Sequence, residues 1–199
     1  MDQIDDGIDT AERILRAGLF LLETKGYASL TMRRVGTLAG ISQAAIYRHY
    51  RDKDALVFRI IGDGYADLAR RLETLASGEN PPDEKLLLAF RGYIDFVMEK
   101  PALFKALLLQ DIGIAGSALN ALGPGVSRQR RTFELLAATL REGMDTGYFE
   151  RSDPETTAQV VWSAVFGLAA RMAIEGVPPD RAAVLADTQL RILIRGIRP

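Results

Sequence analysis

Apolar residues recur every three or four positions along nearly the whole chain, and strand-like alternation is scarce. This pattern predicts an all-α fold of about nine helices. The first helix covers roughly 10–25, with Ile14, Ala17, Leu21 and Leu22 on one face. Asp9 and Glu12 precede it in capping-box spacing, and Gly26 is a stop. Thr31 is placed to cap a short helix at 32–39, which Gly40 ends. Ser42 caps the next, 43–50, and Asp52 caps a longer one running to about 76. The two prolines of 77–82 mark a loop before an amphipathic helix. Pro101 starts another helix, and the Gly-rich stretch 113–125 reads as a loop. Three more helices follow: one ending near Gly147, one from Pro154 to Gly176, and a last one closing the chain. No repeat at a fixed period is visible.

Composition narrows the chemistry. The 199 residues are 48% hydrophobic, enough for a substantial core. With no cysteine, disulfides and thiolate metal sites are excluded. The single histidine, His49, cannot build a His-rich metal site, so no metal and no cofactor are expected. Nucleophile-elbow, dinucleotide and P-loop strings are missing, and the chain is not expected to be an enzyme. The beginning, MDQIDDGIDT, is acidic and lacks the apolar core of a secretory signal. No apolar run is expected to span a bilayer, so a cytoplasmic protein without a membrane partner is the expectation.

Net charge is −1, but its distribution is uneven. Positions 25–53 hold Lys25, Arg33, Arg34, Arg48, Arg51 and Lys53 against Asp52 alone, a net of +5 on an otherwise acidic chain. Such a segment suits local contact with a polyanion. Within it, residues 41–56 read ISQAAIYRHYRDKDAL, which admits a catalytic cluster, a solvated face or a nucleic-acid-reading surface. Two short helices joined by Ala39-Gly40-Ile41-Ser42 favour the third, because a glycine there lets helices cross steeply. Val35, Leu38, Ile41, Ile46 and Tyr50 would then pack inward against the first helix. Gln43, Ala44 and Ala45 would face base edges, where Gln suits adenine and a small methyl suits thymine. Tyr47, Arg48 and His49 suit phosphates, as do Lys53 and Thr31 at helix starts. Arg33 and Arg34 are equally readable as solvated charges.

The run at 25–56 resembles the TetR/AcrR family of bacterial regulators. Gly26-Tyr27, Thr31, Ala39-Gly40-Ile41-Ser42, Ile46-Tyr47-Arg48-His49-Tyr50 and Asp52-Lys53-x-x-Leu56 carry the likeness. It covers about a sixth of the chain. It implies a helix-turn-helix DNA-binding domain at 1–56 and a helical ligand-binding and dimerisation domain at 57–199. The implied function is transcriptional regulation: a homodimer represses at a double-stranded DNA operator until a small-molecule inducer releases it. The implied contacts are Thr31, Arg33, Ser42, Gln43, Ala44, Ala45, Tyr47, Arg48, His49 and Lys53. Ala44-Ala45 departs from the family's frequent Gly-Thr, and Tyr50 from its common Phe.

Beyond residue 57 the signals are weaker. Helical stripes are core first and pocket second; on that footing Phe90, Tyr93, Phe104, Leu108, Gln110, Trp162 and Phe166 are candidate pocket residues. Residues 160–172, VVWSAVFGLAARM, resemble a Trp-x-x-x-His-Gly subfamily of TetR C-terminal domains, with Phe166 in place of the histidine. Small residues there, with the apolar last helix, suit a four-helix dimer interface: Trp162, Gly167, Ala170, Leu185 and Ile192 are its candidates. The alternatives are packing within one chain and a helical adaptor that binds protein, which leaves residues 31–53 without a purpose.

Overall fold

A computed structural model describes residues 9–109 and 131–199, the side chains of 106–109 and 131 excepted. Nine α-helices and a single 3-10 turn form the described residues, which contain no strand. The expected loop at 113–125 lies outside them. The chain groups into two compact units, one holding residues up to 66 with 102–109 and the other the remainder.

In the first unit α1 (Thr10–Lys25) packs on α2 (Met32–Ala39), and α2 on α3 (Gln43–His49). The first part of α4 (Lys53–Ala76) and most of α6 (Pro101–Leu109) belong here too. Ile14, Leu22, Leu30, Val35, Ile46 and Leu56 are fully buried and form the centre. Three helix starts are fixed by side chains, as their sequences predict. Thr31 Oγ1 accepts from Arg34 N at 3.2 Å, Ser42 Oγ from Ala45 N at 3.2 Å, and Asp52 Oδ1 from Ala55 N at 2.7 Å. Helices of eight and seven residues are too short to persist alone, so caps and packing hold α2 and α3.

Two expectations fail here. Asp9 stands at the start of α1 without a side-chain cap bond. The capping box does not form because Glu12 pairs instead with Arg16 one turn on, at 2.9 Å. Leu38 is 40% exposed and does not pack inward. The short α2 buries Met32, Val35, Gly36 and Ala39, which turns Leu38 away.

The second unit contains the end of α4, α5 (Pro82–Glu99), α7 (Arg131–Asp145), α8 (Pro154–Glu175) and α9 (Pro179–Ile197). Here α5 packs on α7, α8 and α9, and α8 on α7 and α9. Phe90, Tyr93, Leu140, Phe149, Val165 and Met172 fill the core. Asp153 Oδ2 caps α8 by accepting from Thr156 N at 2.7 Å. The expectation that no run could span a bilayer is corrected by α8, which is long and apolar enough by length and composition alone. Its charges, Glu155, Arg171 and Glu175, lie near its ends. Ala158, Val161, Val165, Ala169 and Met172 are nonetheless buried within the unit, as in a core helix.

Candidate nucleic-acid interface and interior cavity

The turn between α2 and α3 is built by two glycines and one distant arginine. Gly40 takes φ 66°, the left-handed region that L side chains avoid, and its N–H closes α2 onto Gly36 and Thr37 carbonyls. At Gly36 an added Cβ would lie 3.0 Å from Ile41 O and 3.1 Å from Ile46 Cδ1, so a larger residue would push these neighbours back by a few tenths of an ångström. The Arg13 guanidinium on α1 donates from Nη2 to Ala39 O at 2.5 Å, satisfying a carbonyl at the end of α2.

This turn presents α3 with two distinct sides. Ile46 is 0% exposed and anchors the helix. Ser42, Gln43, Ala44, Arg48 and His49 are exposed, Ala45 is half-buried, and Tyr47 is 48% exposed. Ile41 and Tyr50 are half-buried at its two ends. Burial raises the Tyr50 hydroxyl above its ordinary value, Arg59 works against the rise, and Asp63 and Asp9 add to it. The structure therefore gathers Ser42, Gln43, Ala44, Tyr47, Arg48 and His49 on one short helix. Thr31 and Arg33 sit exposed at the start of α2. Arg34 is tied down, because its Nη1 donates to Ser29 O at 2.9 Å.

Lys53 is less free than its position at the start of α4 suggests. Its Nζ donates to Tyr27 O at 2.7 Å and lies 3.7 Å from the Tyr27 ring centre. Burial lowers its pKa from the ordinary 10.5, and the Asp54 charge opposes that. Tyr27 Oη donates to Asp54 Oδ1 at 2.7 Å. Burial, that bond and the Asp54 charge push the Tyr27 pKa up to about 12. The roles of Tyr27 and Arg13 are hidden in the sequence because each bridges 26 residues. Only the Gly26-Tyr27 pair offered a hint.

In the second unit Leu72, Phe90, Tyr93, Leu136, Thr139 and Trp162 are among the residues lining a partly open cavity of about 30 Å³. Phe90, Tyr93 and Trp162 are therefore brought together, with the Tyr93 and Trp162 ring centres 4.8 Å apart. Phe166 stands behind Trp162 at 6.3 Å and is not part of the wall. Phe104 is buried in the first unit. Gln110 and the side chain of Leu108 lie outside the described residues. Contributions from α4 and α7 were not anticipated, since a wall drawn from four helices leaves no local period. Of the interface candidates, Gly167 and Ile192 are exposed, the latter at 64%, while Trp162, Ala170 and Leu185 are half-buried.

Comparison with known proteins places this geometry. Residues 14–60 match the tetR family of bacterial regulatory proteins, and residues 86–193 match the tetracyclin repressor-like C-terminal domain. The HTH-type transcriptional repressor Rv1474c of Mycobacterium tuberculosis is 30% identical over 168 residues, 81% of this chain and 81% of that protein. The uncharacterized HTH-type transcriptional regulator YerO of Bacillus subtilis is 31% identical over 98 residues; that match spans 44% of this chain and only 33% of YerO. The structure of FadR from Bacillus subtilis in complex with stearoyl-CoA shares the fold, with a TM-score of 0.75, 17% identity, and coverage of 94% of this chain and 99% of that one. The narrower likeness to the Trp-x-x-x-His-Gly subfamily is not confirmed; the C-terminal match is to the tetracyclin repressor-like domain. The chain belongs to the TetR family of DNA-binding transcriptional regulators, typically repressors with a ligand-binding C-terminal domain.

Proposed function

We propose that this regulator is a cytoplasmic homodimer whose two heads read successive major grooves of a two-fold operator. Gln43, Ala44 and Ala45 contact bases. Thr31, Arg33, Ser42, Tyr47, Arg48, His49 and Lys53 hold phosphates. The single observation that carries this reading is the two-sided α3, anchored by Ile46 and otherwise turned to solvent. Residues 1–56 form the reading head and 57–199 the sensing and pairing domain.

Pairing is assigned to α8 and α9. Val160, Gly167 and Ile174 make an exposed stripe on α8, and Val184 and Ile192 are exposed on α9. A Cβ added at Gly167 meets nothing within 4 Å among the described residues, which leaves room for a second copy's helix. Among the described residues Gln189 Oε1 is buried without a hydrogen-bond partner, and a donor from the second copy would satisfy it.

Sensing is assigned to the cavity. At about 30 Å³ it holds a water or two, so a ligand must displace side chains to enter. Its wall is mostly apolar with buried Thr132 and Thr139, which favours an apolar chain with few polar groups. The stearoyl chain of the stearoyl-CoA held by the FadR neighbour is an apolar chain of that kind. Release requires that the ligand bind the DNA-incompetent state more tightly; equal affinity for both states shifts nothing.

The test is a fluorescence anisotropy titration with a labelled duplex from upstream of the chain's own gene, across a salt series. Each neutralised phosphate steepens the log–log slope by about 0.9. Absence of specific binding at moderate salt refutes the reading. Acyl-CoAs of graded length are then added while following the emission of Trp162, the only tryptophan of the chain, together with DNA release. Emission change without release refutes the sensing role.

A further inference from the structure

The 3-10 turn at Tyr27–Ser29 is clamped from two helices. From α2, Arg34 donates to Ser29 O at 2.9 Å. From α4, Lys53 donates to Tyr27 O, lies over the Tyr27 ring, and its neighbour Asp54 accepts from the Tyr27 hydroxyl. Two oppositely charged neighbours on α4 thus converge on one tyrosine. We propose that Tyr27 is a positioning residue for DNA binding: its carbonyl and ring hold the Lys53 ammonium ready for a phosphate, and its hydroxyl keeps the Asp54 carboxylate from competing for that ammonium. This rests on the reading of Lys53 as a phosphate anchor.

The chemistry is specific to the groups present. An ammonium has three donors; the Tyr27 carbonyl takes one and the ring face can engage a second. At least one donor remains for a phosphate oxygen. A lysine held this way has already lost the rotamer freedom that binding would otherwise remove, so less affinity is spent on ordering it. Asp54 is the liability. Its charge acts on Lys53, and a carboxylate paired with that ammonium would take the phosphate's place. The Tyr27 phenol binds the carboxylate instead, at 2.7 Å. With its pKa pushed up to about 12, that phenol keeps its proton at neutral pH and continues to donate.

The experiment uses the full chain and two labelled duplexes of equal length, one from upstream of its own gene and one random. Lys53→Met, Tyr27→Phe, Tyr27→Leu and Tyr27→Phe/Asp54→Asn are compared with the unaltered protein by affinity, salt slope and melting temperature. Lys53→Met is expected to lower the salt slope by about 0.9 per head. Tyr27→Phe keeps the ring and frees Asp54; affinity is expected to fall about threefold, and adding Asp54→Asn restores it. Tyr27→Leu removes the ring as well, and the expected fall is about tenfold. If Lys53→Met leaves slope and affinity unchanged, the anchor reading itself fails. If Lys53→Met acts but both Tyr27 variants bind normally, the anchor stands and the positioning role is overturned. A loss in Tyr27→Phe that Asp54→Asn does not reverse also overturns it.

Discussion

Ile46 and Tyr47 are neighbours on α3 with opposite surroundings, and replacing each by alanine separates holding from reading. Ile46 is 0% exposed at the junction of α2 and α3. Truncation deletes three carbons, about 2.4 kcal/mol of transfer at about 0.8 per carbon. The void left beside Gly36, whose position lies close to Ile46 Cδ1, brings the total to about 3–4 kcal/mol. For a chain of this length melting in one transition, that lowers the melting temperature by about 10 °C. Tyr47 is 48% exposed, so its truncation removes only part of a side chain's burial, below about 1 kcal/mol. Its effect falls on DNA instead. Loss of about 1.4 kcal/mol at each of two heads weakens operator binding about a hundredfold. Circular dichroism melts give the first quantity, anisotropy the second, and size-exclusion chromatography checks that both variants remain dimers. If Ile46→Ala melts with the unaltered protein, or Tyr47→Ala loses as much stability as Ile46→Ala, the two sides of α3 are wrongly assigned.

Other perturbations address the rest of the head and the pairing face. Ser42→Ala removes the bond to Ala45 N and costs about 1 kcal/mol, read as a lower denaturation midpoint at unchanged m-value. Gly40→Ala forces a side chain into φ 66° with its Cβ 3.1 Å from Arg13 Nη2, a cost of about 1–2 kcal/mol seen in the same titration. Ile192→Asp puts a charge on the exposed α9 face; sedimentation is expected to show monomers and the DNA salt slope to halve. Tyr27 sets an alkaline limit. Its pKa, raised from 10.0 to about 12, contributes stability that is full below pH 10 and is lost as pH rises toward 12. Lys53 runs the other way, since its lowered pKa carries a cost that fades as pH rises toward 10.5. The difference in melting temperature between unaltered protein and Tyr27→Phe should therefore shrink above pH 10; a constant difference refutes the linkage.

Local rules made much of the head legible. The caps at Thr31, Ser42 and Asp52 follow from short-range preferences, and glycine at 40 follows from the tight connection. Leu38 misled because periodicity on an eight-residue helix cannot say which side meets a neighbour. The ties from Arg13 to Ala39 and from Lys53 to Tyr27 were invisible, since nothing local relates residues 26 positions apart. The same limit governs the cavity. Phe90 and Tyr93 share a stripe that could be read, but Leu72, Leu136 and Thr139 join them only through packing of separate helices. Phe104, on an equally apolar stripe, ends in the other unit's core.

The partition of α3 has an evolutionary consequence. Stability of the head resides in Ile46, in the Ser42 cap and in the glycines of the turn. Gln43 and Ala44 are exposed and cap no helix, so exchanging them costs the fold little. If these two positions contact bases as proposed, operator preference can drift by substitution there while the scaffold remains under separate selection, a route by which duplicated copies of one regulator acquire different target genes.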